Sequence, residues 1–153
     1  MGSILTPEQV LELVPQRPPF RFIDELVEID DNHAVGRYTF KVDESFYAGH
    51  FPGRPVTPGV ILLETMCQTG IVALGLYILA QEVGLDELVK YTTLFTDSNV
   101  EFSGLVLPGE TVTVTAEPVF WRRRKLRAKV EMTSTQGTIV ASGVVSGMGV
   151  KLD

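Results

Sequence analysis

Hydrophobic and polar positions change period several times along the chain, and each change marks an element. Thr6-Pro7-Glu8-Gln9 reads as a helix start, with a threonine cap, proline at the first helical position and glutamine three residues after the cap. The short helix that follows, through VLELV, stops at Pro15. Arg21 to Ile29 and His33 to Val42 read as strands joined by the polar turn Asp30-Asp31-Asn32. Gly59 to Ala80, GVILLETMCQTGIVALGLYILA, is apolar nearly all round and predicts one long helix ending near Gly84. Thr92 to Phe102, Thr111 to Phe120, Leu126 to Thr133 and Thr138 to Val150 then read as strands. Among them TVTVTAEPVF alternates most regularly, and Ser134 to Gly137 forms the last turn.

Strands that follow one another by short turns, set against one apolar helix, predict an α+β fold with a mostly antiparallel sheet. The 153 residues suffice for one domain, read here as 1–153, with no repeat or linker. A sheet of this size covers only part of the long helix, so the remaining apolar surface calls for a second copy of the chain, a homodimer. The helix approaches membrane-spanning length. However, it carries Glu64 and Gln68 on one face and lacks basic flanks, so it reads as a core helix and no membrane is implied.

Composition narrows the function classes. Hydrophobic residues make up 44% and charged residues 21%, a globular balance. A net charge of −6 argues against a general nucleic-acid binder. One cysteine, Cys67, excludes a disulfide framework or a cysteine zinc cluster and points to a reducing, cytoplasmic setting. No basic start leads into an apolar signal core; MGSILT formally fits an N-myristoylation start but is read as an initiator sequence or cloning remnant.

The candidate chemistry lies in Gly49 to Gln68, GHFPGRPVTPGVILLETMCQ. Pro52, Pro55 and Pro58 stiffen the loop, while Gly49, Gly53 and Gly59 permit turns and close approach. RPVTP also fits a PxxP ligand, but that mode needs an exposed flexible segment, and this one is wedged between core elements. Pro58-Gly59 opens the helix, whose free amides at Gly59 and Val60 can stabilise negative charge on a carbonyl oxygen. Glu64 lies about six residues further in, roughly 9 Å along the axis. It is the only charge among Val60, Ile61, Leu62, Leu63, Met66 and Ile71, so its charged form is disfavoured, as a general acid requires. A buried glutamate merely satisfied by a partner fits the helix equally well. His50 alone is better read as structural; a carboxylic acid and a helix N-terminus nearby shift it towards a base. His33 lacks such company and reads as a solvent-facing turn residue. Cys67, mid-helix beside Met66, reads as an apolar filler rather than a nucleophile. Gln68, one turn after Glu64, is placed to orient its carboxyl or to satisfy its hydrogen bonds, and joins Phe51 and Pro58 as a candidate substrate-site residue.

This segment closely resembles the active-site run of the β-hydroxyacyl-[acyl carrier protein] dehydratases of FabZ type, which have the hot-dog fold. Their GHFPG-x-P-x-x-PG signature reaches a glutamate fourteen residues after the histidine, the spacing from His50 to Glu64 here. PQRPPFRFIDELVEI is similar to the family's opening strand and VLPGETVTV to its later PGD strand. Glutamate at 64 favours this branch over the dehydratase-isomerase branch, which has aspartate there. The resemblance implies an antiparallel sheet wrapped around the central helix and conversion of β-hydroxyacyl thioesters on acyl carrier protein to trans-2-enoyl thioesters. It implies His50 as base, Glu64 as acid, and the Gly59 amide, with Val60, as oxyanion donor. It also implies a site shared between two subunits of a homodimer, which further assembly would extend. Base, acid and oxyanion donor are the minimum set for this reaction, and no metal or organic cofactor is called for.

Three stretches depart from the pattern: Gln16-Arg17-Pro18-Pro19 lacks the usual histidine and aromatic, Asn99 to Gly104 replaces a basic stretch, and Thr57 stands where an apolar residue is usual. They leave the catalytic set intact and bear on the acyl chain and carrier docking, with specialised lipid or polyene synthesis as one setting. Arg122 to Arg127 forms the densest basic cluster, read either as a steering rim for an acidic carrier or as a solvated strand face. Two other functions compete: a hot-dog thioesterase in which Glu64 activates water, and an idle acyl-binding partner of a synthase.

Overall fold

A computed structural model describes residues 4–152; Met1 to Ser3, where the myristoylation match begins, and Asp153 lie outside the described residues. Helix α1 (Pro7–Leu13) starts as expected, with the Thr6 hydroxyl accepting from the Gln9 amide and the Gln9 side chain accepting from the Thr6 amide. Six strands follow: β1 (Glu25–Ile29), β2 (Ala34–Thr39), β3 (Tyr91–Phe102), β4 (Thr111–Arg122), β5 (Lys125–Ser134) and β6 (Ile139–Lys151). They form one antiparallel sheet in the order β1-β2-β4-β5-β6-β3. Alternate residues of β4 and β5 (Val112, Val114, Ala116; Leu126, Ala128, Val130, Met132) are buried against Leu62, Met66, Ile71 and Leu74 of the central helix. The sheet therefore curls around that helix, while α1 closes the open side with Val10 and Val14 on Val72, Leu76 and Leu79.

The central helix runs from Gly59 to Ala80 and is mostly buried within the fold. It is not regular: α2 (Gly59–Cys67) passes through a wider π turn at Gln68–Ala73 into α3 (Leu74–Ala80). Here the sheet comes closest. A Cβ on Gly36 of β2 would lie 2.2 Å from Thr69 Oγ1, and one on Gly147 of β6 would lie 2.3 Å from Ile71 Cγ2. Only glycine lets these strands meet the helix at that distance.

Several expectations change. The Arg21 to Ile29 strand shortens to β1, because the Phe22 amide is taken by the Gln68 side chain instead of a neighbouring strand. The second strand ends at Thr39 rather than Val42. The long helix stops at Ala80, and a further short helix, α4 (Leu85–Leu88), precedes β3. His33 does not simply face solvent: it sits between Glu28 (2.7 Å) and Asp30 (2.9 Å), and the hydrogen bond with Glu28 leads in raising its pKa. In the basic cluster Arg123 and Arg124 form the β4–β5 turn at φ 52° and 63°. Arg122 and Arg127 lie over Phe120, and Arg124 over Tyr91.

Gly147→Ala should destabilise the fold by about 2–3 kcal/mol through overpacking against Ile71. Gly75 lies in α3 with its nearest Cβ contact at 3.9 Å, so Gly75→Ala should instead stabilise by roughly 0.5–1 kcal/mol. Urea midpoints of the two variants, moving in opposite directions, check the packing.

Candidate active site

The loop before α2 is cross-tied on itself. The His50 carbonyl accepts from the Val56 amide at 2.9 Å, and Phe51 and Arg54 exchange backbone hydrogen bonds at 3.3 and 2.9 Å. Gly53 turns the chain at φ 72°, a conformation suited to glycine. The Val56 carbonyl lies 2.9 Å from His50 Nδ1. A carbonyl only accepts, so Nδ1 carries a proton, and in the neutral ring the lone pair lies on Nε2. The imidazole is half-buried and stacks on the exposed Phe51 ring, with centroids 4.1 Å apart. Among the described residues the His50–Phe51 and Pro18–Pro19 peptides are cis.

Pro58 is buried and caps α2, its carbonyl accepting from the Ile61 and Leu62 amides at 2.9 and 3.1 Å. No side chain caps the first turn, which leaves the Gly59 and Val60 amides facing outward. Val60 is 72% exposed, and a Cβ on Gly59 would meet the Phe102 ring at 3.8 Å. The helix start therefore adjoins the end of β3.

Glu64 is half-buried on α2. Burial pushes its carboxyl above the usual range, and a hydrogen bond from Gln68 partly opposes this. Gln68 is fully buried: its carbonyl accepts from the Phe22 amide at 2.7 Å, and its NH₂ donates to the Phe20 carbonyl at 3.0 Å and to Glu64 Oε2 at 2.9 Å. Both amide ends are assigned by backbone groups, so Gln68 stands behind Glu64 as an orienting group and is not itself open to a substrate. Burial raises the Cys67 thiol to about 12, which leaves it a protonated filler.

His50 and Glu64 share no hydrogen bond within one chain, and each is only half-buried. A cavity of about 200 Å³, lined by Ile71, Gly75, Leu76, Leu79, Trp121 and Leu126 among others, includes neither. A second of about 410 Å³, between Pro19, Arg21, Tyr38, Lys41 and Glu44, has several charged side chains in its lining and also includes neither. Among the described residues no cluster of three or more His, Cys, Asp or Glu could hold a metal ion. Sequence reasoning missed Val56, which orients His50 through its backbone, and Phe20 and Phe22, which orient Gln68 the same way. Their side chains carry no signal of that role.

The comparisons with known proteins agree with this framework. The FabA-like domain family matches residues 14–145. The 3-hydroxyacyl-[acyl-carrier-protein] dehydratase FabZ of Herpetosiphon aurantiacus is 36% identical over 141 residues, covering 92% of this chain and 94% of that one. The FabZ of Bartonella bacilliformis is 35% identical over 144 residues, covering 94% and 89%. Among solved structures, a dehydratase heterocomplex from Xenorhabdus doucetiae superposes with a TM-score of 0.75 at 14% identity, covering 97% of this chain and 93% of that one. A Haemophilus influenzae thioesterase does so at 0.69 and 15% identity, covering 99% and 94%. Those two likenesses establish the hot-dog fold, and the sequence matches establish the rest: the chain belongs to the FabA-like family, beside the FabZ dehydratases.

Proposed function

We infer that the chain, as a single domain, removes water from β-hydroxyacyl thioesters to give trans-2-enoyl thioesters. The observation that carries this reading is the Val56 carbonyl on His50 Nδ1, which leaves Nε2 as a base. Nε2 takes the α-proton, and the electron pair left on Cα forms the new Cα=Cβ bond. The charge that builds on the thioester oxygen is met by the Gly59 and Val60 amides at the helix N-terminus. Glu64, whose charged form burial disfavours, protonates the β-hydroxyl, which leaves as water. One turnover ends with a proton on His50 and a carboxylate at Glu64, and exchange with water restores both.

No cavity described within one chain is lined by His50 or Glu64, and we take the base on the loop and the acid on the helix to form a complete site when two chains combine. β3 supports that arrangement. It is a twelve-residue edge strand with Leu94 and Phe95 about half exposed, and an uncovered edge of that length is a template for pairing. It adjoins the helix start through Phe102 and Gly59, so pairing along β3 in a homodimer brings a second chain to the oxyanion donors. The thioester carrier is acyl carrier protein, the carrier named for the FabZ relatives, and a soluble, cytoplasmic setting accords with the buried core helix and the free Cys67 thiol. The apolar cavity begins at Ile71, seven residues or roughly 10 Å along the helix from Glu64, and gives an acyl tail room.

With β-hydroxyacyl carrier thioesters the protein should raise enoyl absorbance without releasing free thiol; thiol release would instead mark a thioesterase. His50→Ala should lower kcat by about 10²–10⁴-fold with the fold intact, and unchanged turnover would favour an idle binder. The acid form of Glu64 is lost as pH rises through its raised pKa, so kcat should fall on that alkaline limb. For the same reason protonated Glu64 favours the folded state, and that contribution disappears over the same rise; Glu64→Gln, neutral throughout, should abolish this slope in a pH series of urea midpoints. Gly75→Leu adds a four-carbon side chain at the cavity wall and should lower kcat/KM for long hydroxyacyl chains about tenfold or more relative to short ones.

A further inference from the structure

Two hydroxyl groups outside the expected set stand at the ends of the His50 loop. Tyr47 and Thr57 are 5% and 4% exposed, and their hydroxyls share a hydrogen bond of 2.6 Å. Tyr47 also touches His50 directly, because its carbonyl accepts from the His50 amide at 3.3 Å. Thr57 touches it through one peptide unit. The Val56 carbonyl, which holds His50 Nδ1, and the Thr57 amide belong to the same planar group. That amide donates to the Val106 carbonyl at 2.9 Å.

A planar peptide can still swing about the bonds on either side of it. Holding its N–H on Val106 and the adjoining Thr57 side chain on Tyr47 removes that freedom, and with it the freedom of the Val56 carbonyl. A ring of bonds results, running from the Tyr47 hydroxyl through Thr57 and Val56 to the imidazole, and back through the His50 amide to the Tyr47 carbonyl. Both hydroxyls are dry, so neither has water to turn to if the pair opens. An apolar residue at 57 would fill the space equally well but leave the Tyr47 hydroxyl without this partner. The polar pair therefore gives the loop a directed contact that an apolar residue at 57 would not.

We propose that the Tyr47–Thr57 hydroxyl pair is a positioning latch that locks the Val56–Thr57 peptide, so that His50 is held as the Nδ1–H tautomer with Nε2 free. Its consequence for rate rests on the reading of His50 as the base; its consequence for the imidazole does not.

The test is the double variant Tyr47→Phe with Thr57→Val, beside Thr57→Ser, which keeps a hydroxyl. Removing both partners together avoids an orphaned buried group, so the double variant should unfold near the native urea midpoint. Nitrogen-15 NMR of His50 in the full-length protein should show one tautomer in the native chain and in Thr57→Ser, and a mixture in the double variant. With β-hydroxyacyl thioester, kcat of the double variant should fall about tenfold with KM within about twofold, a loss of orientation rather than of binding. Thr57→Ser should recover most of the rate. A single tautomer in the double variant overturns the latch, and so does a rate loss that follows the urea midpoint instead of the tautomer. Should the double variant not fold, Tyr47→Phe gives the same two readings. If the tautomers shift as expected while the native protein dehydrates nothing, the latch stands and the dehydratase reading fails.

Discussion

A single buried amide supplies the reference point for the helix side of the site. Gln68 has no water around it, so its hydrogen-bonding groups must find partners inside the protein. It meets the backbone of Phe20 and Phe22 on one side and the Glu64 carboxyl on the other. The segment before β1 is thereby tied to the helix, and Glu64 is held from behind with its other oxygen left free. The same tie coincides with the π turn, where Gly36 and Gly147 let the sheet approach most closely. Fold and candidate chemistry thus depend on one residue that touches no substrate.

The imidazole is held by a separate device, the cross-tied loop between Tyr47 and Pro58. A half-buried carboxylic acid and a base with a fixed tautomer are opposite requirements. One needs a site that disfavours charge, the other a polar acceptor close at hand. Placing Glu64, the proposed acid, on an apolar helix and His50, the proposed base, on a backbone-lined loop meets both without compromise in either. The arrangement also leaves the helix amides, the Phe51 ring and the β3 edge uncovered, which is why the chain alone reads as half of a site.

Much of this was legible from residues alone. The Thr6–Gln9 capping box is a local signal and appears where it was expected. Period-two alternation placed β4 and β5 to within a few residues, because Val112, Val114 and Ala116 and then Leu126, Ala128, Val130 and Met132 are buried in turn. By contrast, β6 buries Val140-Ala141 and Val145-Ser146-Gly147 in consecutive runs and was placed by its strand-forming residues. The GHFPG loop, the helix start at Gly59 and the position of Glu64 on the central helix followed from spacing. What escaped was non-local. Nothing near Phe22 announces that its amide bonds to a side chain 46 residues later. The β4–β5 turn carries Arg123 and Arg124 where glycine or asparagine would have signalled it. His33 looked solvent-facing because Glu28 and Asp30 reach it only once the hairpin closes. Thr57 stood out as polar, but its partner Tyr47 could be found only in three dimensions.

The central claim is that His50 of one chain works with Glu64 of another. Chains carrying His50→Ala and chains carrying Glu64→Gln, each inactive alone, can be unfolded together, refolded as a mixture and assayed with a β-hydroxyacyl thioester. Random pairing in a twofold dimer leaves one intact site in each mixed dimer, so activity should return to about one quarter of the native value. A mixture as inactive as its components, with mixed dimers demonstrably formed, would contradict the account.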